Sequence, residues 1–369
     1  MVGENSTIAH LSVAMTMDAV DETQTAAENT MPSSSSRDAQ FYFGWATVVM
    51  GVLGTAGNAL ILYALIAAKQ HKKLPLIVNQ NVLDLFASFF LVISYALKLA
   101  NMSYIGAAGY WLCITLHGEL LVTIGIYGSR VNLAAIAVER YLKVVHHVWS
   151  KNKLRRWMIN SAMAFSWLLG ALIMAPFLFI SSRVKDGLCC NMMYASMELI
   201  MAYVIWYSLS FYMIIFAILI FCYGRILVAI RRQAKVMASH SAAGPSTAQT
   251  HQSNQIQTNV INTMILVSAL YVISHLLQAV IYLDTITGSN LGINGSVNNV
   301  SRFIQFSFVT ANPLIYALKF DPVKKILKGM MPSRLAVWFN HVMSFVTSIG
   351  NRTSTTHSDQ ELADMRGRE

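Results

Sequence analysis

The chain has 369 residues, of which 55% are apolar and only 12% are Asp, Glu, Lys or Arg, about half the ~25% charge of an ordinary soluble domain. Together with a mean hydropathy of +0.49, this excludes a disordered chain and a disulfide-dense secreted module, and it points to the bilayer as solvent. The net charge of +10 does not mark a nucleic-acid binder, because the basic residues lie between apolar runs, where they set topology.

Residues 1–40 are acidic and rich in Ser, Thr and Ala, with no basic stretch leading into a short apolar core. They read as an extracellular disordered arm without a cleavable signal peptide. Crossings follow. Hydrocarbon about 30 Å thick needs roughly 20 helical residues, because lipid cannot satisfy backbone N–H and C=O groups and a helix satisfies them internally. Phe41 to Ala68 is uncharged, Leu74 to Leu97 carries only Asp84, and a third run from Trp111 to Val138 contains Glu119 and Arg130. Trp157 to Ser182, Leu199 to Gly224 and Val260 to Leu283 are uncharged, and a seventh run has a charge-free core from Phe303 to Leu318. The stretch 238–255 reads as a flexible inner loop. The expected fold is an all-α membrane protein: a seven-transmembrane helix bundle over 41–320, an amphipathic eighth helix and juxtamembrane segment over 321–350, and a disordered cytoplasmic tail over 351–369. Within 321–350, Leu335, Trp338, Phe339, Val342, Phe345, Val346 and Ile349 recur at three- and four-residue steps, a stripe suited to the inner leaflet.

Orientation follows from charge. The loops after crossings one, three, five and seven hold seventeen Lys and Arg residues, from Lys69 to Arg334, against four on the opposite side, Lys98, Arg183, Lys185 and Arg302. The N-terminus is therefore expected outside and the C-terminus inside, with the chain a multi-pass plasma-membrane protein. Glycosylation acceptors at Asn5, Asn101, Asn294 and Asn299 all fall on the expected outer side. Asn351 fits the same pattern but lies in the inner tail.

Cys113 opens the third crossing on the outer side, and Cys189 and Cys190 lie in the outer loop after the fourth. A disulfide from Cys113 to Cys189 or Cys190 would pin that loop, and spacing does not choose between the two. Three unrelated buried thiols are the alternative. Charges within crossings cost about 2.5–3.5 kcal/mol each on insertion scales and so mark function or a specific partner. Those present are Asp84, Glu119, Arg130, Glu139, Arg140 and Glu198. Asp84 lies near mid-depth, where an interfacial explanation fails.

From Phe43 to Met330 the chain resembles the rhodopsin-like (class A) G-protein-coupled receptors. The resemblance rests on Gly57-Asn58, Asp84, Cys113, Glu139-Arg140-Tyr141, Trp167, Tyr223, Asn312-Pro313-Leu314-Ile315-Tyr316 and Phe320, in that order. It implies a signalling receptor that binds an extracellular peptide or small molecule and activates a heterotrimeric G protein, with arrestin and membrane lipids as further partners. In such proteins the arginine matching Arg140 is held by its acidic neighbour and released toward the G protein, while the tyrosines matching Tyr223 and Tyr316 rearrange. Asp84, Ser129 and Asn312 match a cluster that binds an allosteric sodium ion.

The departures are informative. The aromatic-X-Pro pair of the sixth helix is replaced by His275 and Leu277, and the proline of the fifth by Ile215, so these helices are expected to be straighter. His275 reads as a hydrogen-bonded core histidine, with a pH switch as the sharper reading. The interval from Cys113 to Arg140 exceeds the family's by two residues, which a bulge or a shifted disulfide would absorb. Arg130, beside Ser129, would either substitute for sodium or face a watery cavity. The carboxylate that amine receptors use is Val122 here, although Glu119 could serve if the register shifts. The lysine of retinal-binding members is Phe306, so no Schiff base is expected. The remaining pocket candidates are Glu119, Val122, Trp206, His275 and Phe306, among aromatics and methionines such as Tyr104, Trp111 and Met193. Glu119, Glu198, Asp284 and Arg302 lie near the mouth, an acidic rim suited to a basic peptide, and the apolar floor suits a small indole or lipid. The rival class is a transporter or proton channel relaying through Asp84, Glu119, Arg130 and His275. No nucleophile-base pair or metal spacing indicates an enzyme.

Overall fold

A computed structural model describes residues 34–190, 196–207, 213–240, 295–319 and 321–330, with short helical pieces between 265 and 281. Sequence expectations for Asn5, His275, Asp284, Asn294, Phe320, the stripe Leu335–Ile349 and the terminal tail lie outside the described residues, as do the side chain of Tyr316 and the straightening expected of helices five and six.

Helix α1 (Ser34–Ala67) starts ahead of the hydropathic onset at Phe41. A single tight turn at Gln70–Lys72 leads to α2 (Pro75–Leu99), whose first position is a proline, where the ring's fixed φ suits a helix start. The third crossing is broken near its outer end. It opens as α3 (Gly106–Leu112), widens into a π-turn at Cys113–His117, and resumes as α4 (Leu120–Val145). Glu119 stands between them at φ 62. The wide turn and the left-handed residue take up extra chain in the interval that the sequence marks as long. A short α5 (His147–Lys153) leads to α6 (Arg156–Ser181).

Beyond α6, β1 (Arg183–Lys185) and β2 (Leu188–Cys190) form an antiparallel hairpin with Val184 opposite Cys189. Its turn is Asp186-Gly187 at φ 53 and 77, the Asp-Gly pair whose twist suits a two-residue hairpin. The fifth crossing appears as α7 (Met197–Tyr207) and α8 (Ile215–His240). The seventh is α9 (Gly295–Lys319), followed by α10 (Asp321–Met330). On α10, Val323 and Leu327 are buried four residues apart while Lys325 and Lys328 face outward, so this ten-residue helix is amphipathic.

Among the described residues, four helices are long and apolar enough to cross a membrane: Asp38–Ala67, Pro75–Leu99, Gly106–Val145 and Arg156–Ile180, with the shorter apolar Ile215–Ile230 after them. The third crossing is the hub. Its apolar window is 67% buried, against 33%, 39% and 29% for the first, second and fourth. It touches α2, α6 and α8, while α1 packs on α2 and α9. Glycine permits the closest of these approaches: a Cβ on Gly170 of α6 would stand 2.6 Å from Ile124 O and 2.8 Å from Gly128 N. Lipid offers no hydrophobic drive between helices, so such small-residue contact is what holds them together.

Candidate functional site

Three groups of polar side chains sit along the third crossing. The middle one is a buried column. Trp167 Nε1 donates to Asn79 Oδ1 at 3.0 Å, Asn79 Nδ2 donates to Asn132 Oδ1 at 2.8 Å and to Ser166 Oγ at 3.2 Å, and Asn132 Nδ2 donates to Gln80 Oε1 at 2.8 Å. Gln80 Nε2 in turn donates to Ser129 Oγ and, at 3.4 Å, to Asp84 Oδ2, which also accepts from Asn312 Nδ2 at 2.6 Å. Asn58 Nδ2 ties α1 to α9 through Val309 O at 3.1 Å. Asp84, Asn312, Gln80 and Asn132 are wholly buried, and Ser129 nearly so. The column thus links the first, second, third, fourth and seventh crossings by hydrogen bonds that lipid cannot replace.

Among the described residues, three oxygens of this column accept no hydrogen bond: Asn58 Oδ1, Asp84 Oδ1 and Asn312 Oδ1. Unpaired buried acceptors beside an ionisable carboxyl are costly. Arg130, also fully buried, donates from Nη2 to Gln305 Oε1 at 2.9 Å and lies over Tyr127, its Cζ 4.9 Å from the ring centre, and near Tyr271 at 6.0 Å. The sequence motifs pointed to Asp84, Ser129 and Asn312 but not to Gln80, Asn132 or Gln305. The signal available for the first two was a run of amides, Asn79-Gln80-Asn81, inside an otherwise apolar crossing.

At the foot, Glu139 and Arg140 end the third crossing at 4% and 7% exposure. Glu139 Oε2 lies 3.3 Å from Arg140 Nη2, while its Oε1 accepts from Lys143 Nζ at 2.6 Å. Among the described residues, Arg140 Nε and Nη2 make no hydrogen bond. Tyr141 bonds through its hydroxyl to His146 Nε2 at 3.0 Å and packs on Phe221.

At the outer end, Cys113 bonds to Cys189, with Cα atoms 5.5 Å apart. The hairpin register sets Cys189 opposite Val184, and Tyr104 N donates to Gly187 O at 2.8 Å, so the loop is fastened at two points. Glu119 is 6% exposed, and its Oε1 accepts from both Lys98 Nζ and Arg302 Nη2, the latter at 2.6 Å. Its charge is thereby neutralised by two cations, which removes it from the expected acidic rim. The break that frees Glu119 from helical φ also turns it toward the second and seventh crossings. Val122 is fully buried, and Phe306, 6% exposed, packs on Tyr95 with ring centres 6.0 Å apart. Trp206 is 45% exposed, with Tyr203 as its described aromatic neighbour. Asn101 is exposed at φ 48, and Asn299 lies within α9.

Known proteins bear on this arrangement. A profile of the 7 transmembrane receptor (rhodopsin family) matches residues 57–316. Melanopsin of Felis catus is 24% identical over 346 residues, covering 89% of this chain and 69% of that one. C-C chemokine receptor type 8 of Mus musculus is 26% identical over 305 residues, covering 79% of each. The crystal structure of squid rhodopsin overlays with a TM-score of 0.67 at 18% identity, covering 81% of this chain and 87% of that one, which shows a shared fold. These likenesses support a receptor and lend nothing to the transporter or proton-channel alternative. The chain belongs to the rhodopsin family of seven-transmembrane receptors, G-protein-coupled proteins that cross the plasma membrane several times.

Proposed function

We propose that the chain reports an extracellular ligand to a heterotrimeric G protein by releasing Arg140 from Glu139. The observation that carries this reading is the half-satisfied state of the foot. A buried guanidinium keeps 3.3 Å from its acid while two of its nitrogens make no hydrogen bond, and the acid is shared with Lys143. Such a group is held by one electrostatic contact rather than a full shell, so a partner that completes the shell can draw it away. Buried Tyr223, and Pro313 and Tyr316 of α9, belong to the same proposed switch.

The Asp84 cluster fits a sodium ion. Asp84 Oδ1 and Asn312 Oδ1 are buried acceptors with capacity to spare, and a bound cation would offset the burial of the carboxylate. Asp84, Asn312 and Ser129 are the residues that would hold it. Asp84, Asn312 and Ser129 would then be biased toward one packing by a bound cation, and ligand and G protein would act on the same equilibrium from opposite ends. Retinal is not proposed as a cofactor, because Phe306 stands where the Schiff-base lysine of retinal-binding relatives would be and no amine is available there. The proposed topology places the N-terminus outside, with arrestin and anionic lipids meeting the basic inner loops, and glycans at Asn5, Asn101, Asn294 or Asn299.

Guanine-nucleotide exchange on purified G protein by nanodisc-embedded receptor tests the switch, with peptides, amines and lipids screened as agonists. Exchange above background that vanishes in Arg140→Ala, with folding retained, is the expected result. Unchanged exchange in that variant would overturn it. A tag on the N-terminus labelled on intact cells, with a C-terminal tag labelled only after permeabilisation, is the expected topology.

A further inference from the structure

We infer that the recess at the foot of the second, third and fourth crossings is a headgroup site for a polyanionic membrane lipid, of the class of a multiply phosphorylated phosphatidylinositol. The inference rests on the inside placement of this face proposed above, and it gives one lipid class a defined seat there.

The recess holds about 760 Å³ and is half open, a volume within the range of small-molecule sites. Four elements bring basic side chains to it: Lys72 and Lys73 from the turn before α2, Lys143 from α4, Lys151 from α5 and Arg156 from the start of α6. The fold therefore assembles this cluster, which is not a basic run along the chain. The one acid in the described lining is Glu139, and it is already engaged by Lys143 and Arg140. Lys72, Lys73, Lys151 and Arg156 are exposed and make no ion pair among the described residues. A headgroup with a single charge would offset one of these cations, whereas several phosphate charges match the set. Lys and Arg can only donate, and phosphate oxygens accept from several donors at once. His71 adds a ring nitrogen, Nδ1, that is buried without a hydrogen bond among the described residues.

The surroundings favour a lipid over a free polyphosphate. Trp149 and Trp157 stand 45% and 63% exposed, each next in sequence to a lining residue, Ser150 and Arg156. Tryptophans so placed at the ends of crossings sit at headgroup level, which sets the cations at the depth of lipid phosphates. Half-buried Pro75, Leu154 and Ile159 supply apolar wall beside them. A basic pocket between crossings on the inner side is a setting in which phosphorylated headgroups are held.

Thermal unfolding of the receptor without G protein tests this in nanodiscs of phosphatidylcholine alone, with phosphatidylserine, or with phosphatidylinositol bisphosphate, the last two matched in total charge. The bisphosphate discs are expected to give a melting temperature several degrees above the serine discs. Lys151→Gln and Arg156→Gln, both at exposed positions, should each weaken the bisphosphate response about fivefold. Lys325→Gln combined with Lys328→Gln removes two exposed charges on α10 instead and should leave it unchanged. Equal stabilisation by serine and bisphosphate discs, or an equal loss in the α10 variant, would overturn the inference by showing diffuse attraction to any anionic surface. Equal stabilisation by soluble inositol trisphosphate added to phosphatidylcholine discs would overturn the lipid assignment. Stabilisation by an acidic peptide with the bisphosphate inert would assign the recess to a protein partner. Both leaflets of a disc carry the lipid and no G protein is present, so the result does not depend on orientation in the cell or on the switch. Failure of tag labelling or of nucleotide exchange would bear on those readings alone.

Discussion

Asp84 on the second crossing and Asn312 on the seventh meet at 2.6 Å across 228 residues of chain. The contact closes the polar column, so the seventh helix is held against the bundle core by a hydrogen bond to a buried carboxyl rather than by apolar packing alone. Each partner keeps one oxygen unbonded, which makes this junction the place where an ion or a change of protonation would act on both helices together.

Replacing sodium chloride by choline chloride at constant ionic strength should lower the receptor's melting temperature by a few degrees, since a ligand of the folded state stabilises it by mass action. Asp84→Asn should abolish that difference. A sodium response that survives the substitution would place the ion elsewhere or show that Arg130 already supplies the charge.

Glu139→Gln should raise ligand-independent nucleotide exchange, because Arg140 loses the acid 3.3 Å away, while Arg140→Ala should reduce exchange at least about tenfold, within the usual range of coupling energies. Opposite signs from adjacent residues would separate a switch from general damage to the inner face.

Cys189→Ser should destabilise the outer face by about 4 kcal/mol on the chain-entropy account, because the bridge closes a separation of 76 residues. Cys190→Ser should leave the melting temperature nearly unchanged. Equal losses in both variants would mean that the two cysteines exchange.

Gly170→Val should prevent folding, since even a Cβ would press on Ile124 O and Gly128 N in the neighbouring helix. Gly329→Ala meets nothing within 4 Å and lies in α10, where alanine is favoured over glycine by about 0.5–1 kcal/mol. Detergent-extracted yield and melting temperature distinguish the two.

Much of this was legible without coordinates. Hydropathy alone located the first four crossings, because in lipid a backbone must bond to itself and a long apolar run has few other uses. The motifs at Asp84, Cys113, Glu139-Arg140-Tyr141 and Asn312-Pro313 identified the family, since each combines residue type with a place along an already located helix. The excess length between Cys113 and Arg140 also showed in the sequence, as residues to be absorbed near the outer end of the third crossing.

What only the tertiary structure decided are the pairings. Cys189 rather than Cys190 meets Cys113 because the hairpin register orients it. Glu119 faces Lys98 and Arg302 because the break at the π-turn rotates it out of helical phase. Gln80 and Asn132 complete the column because the second and third crossings pack closely enough for amides to bridge them. Periodicity and composition are properties of neighbours along the chain, whereas a partner is chosen by helix rotation and separation across it. That is why the long apolar runs could be read in advance, and why the partners of Glu119 could not.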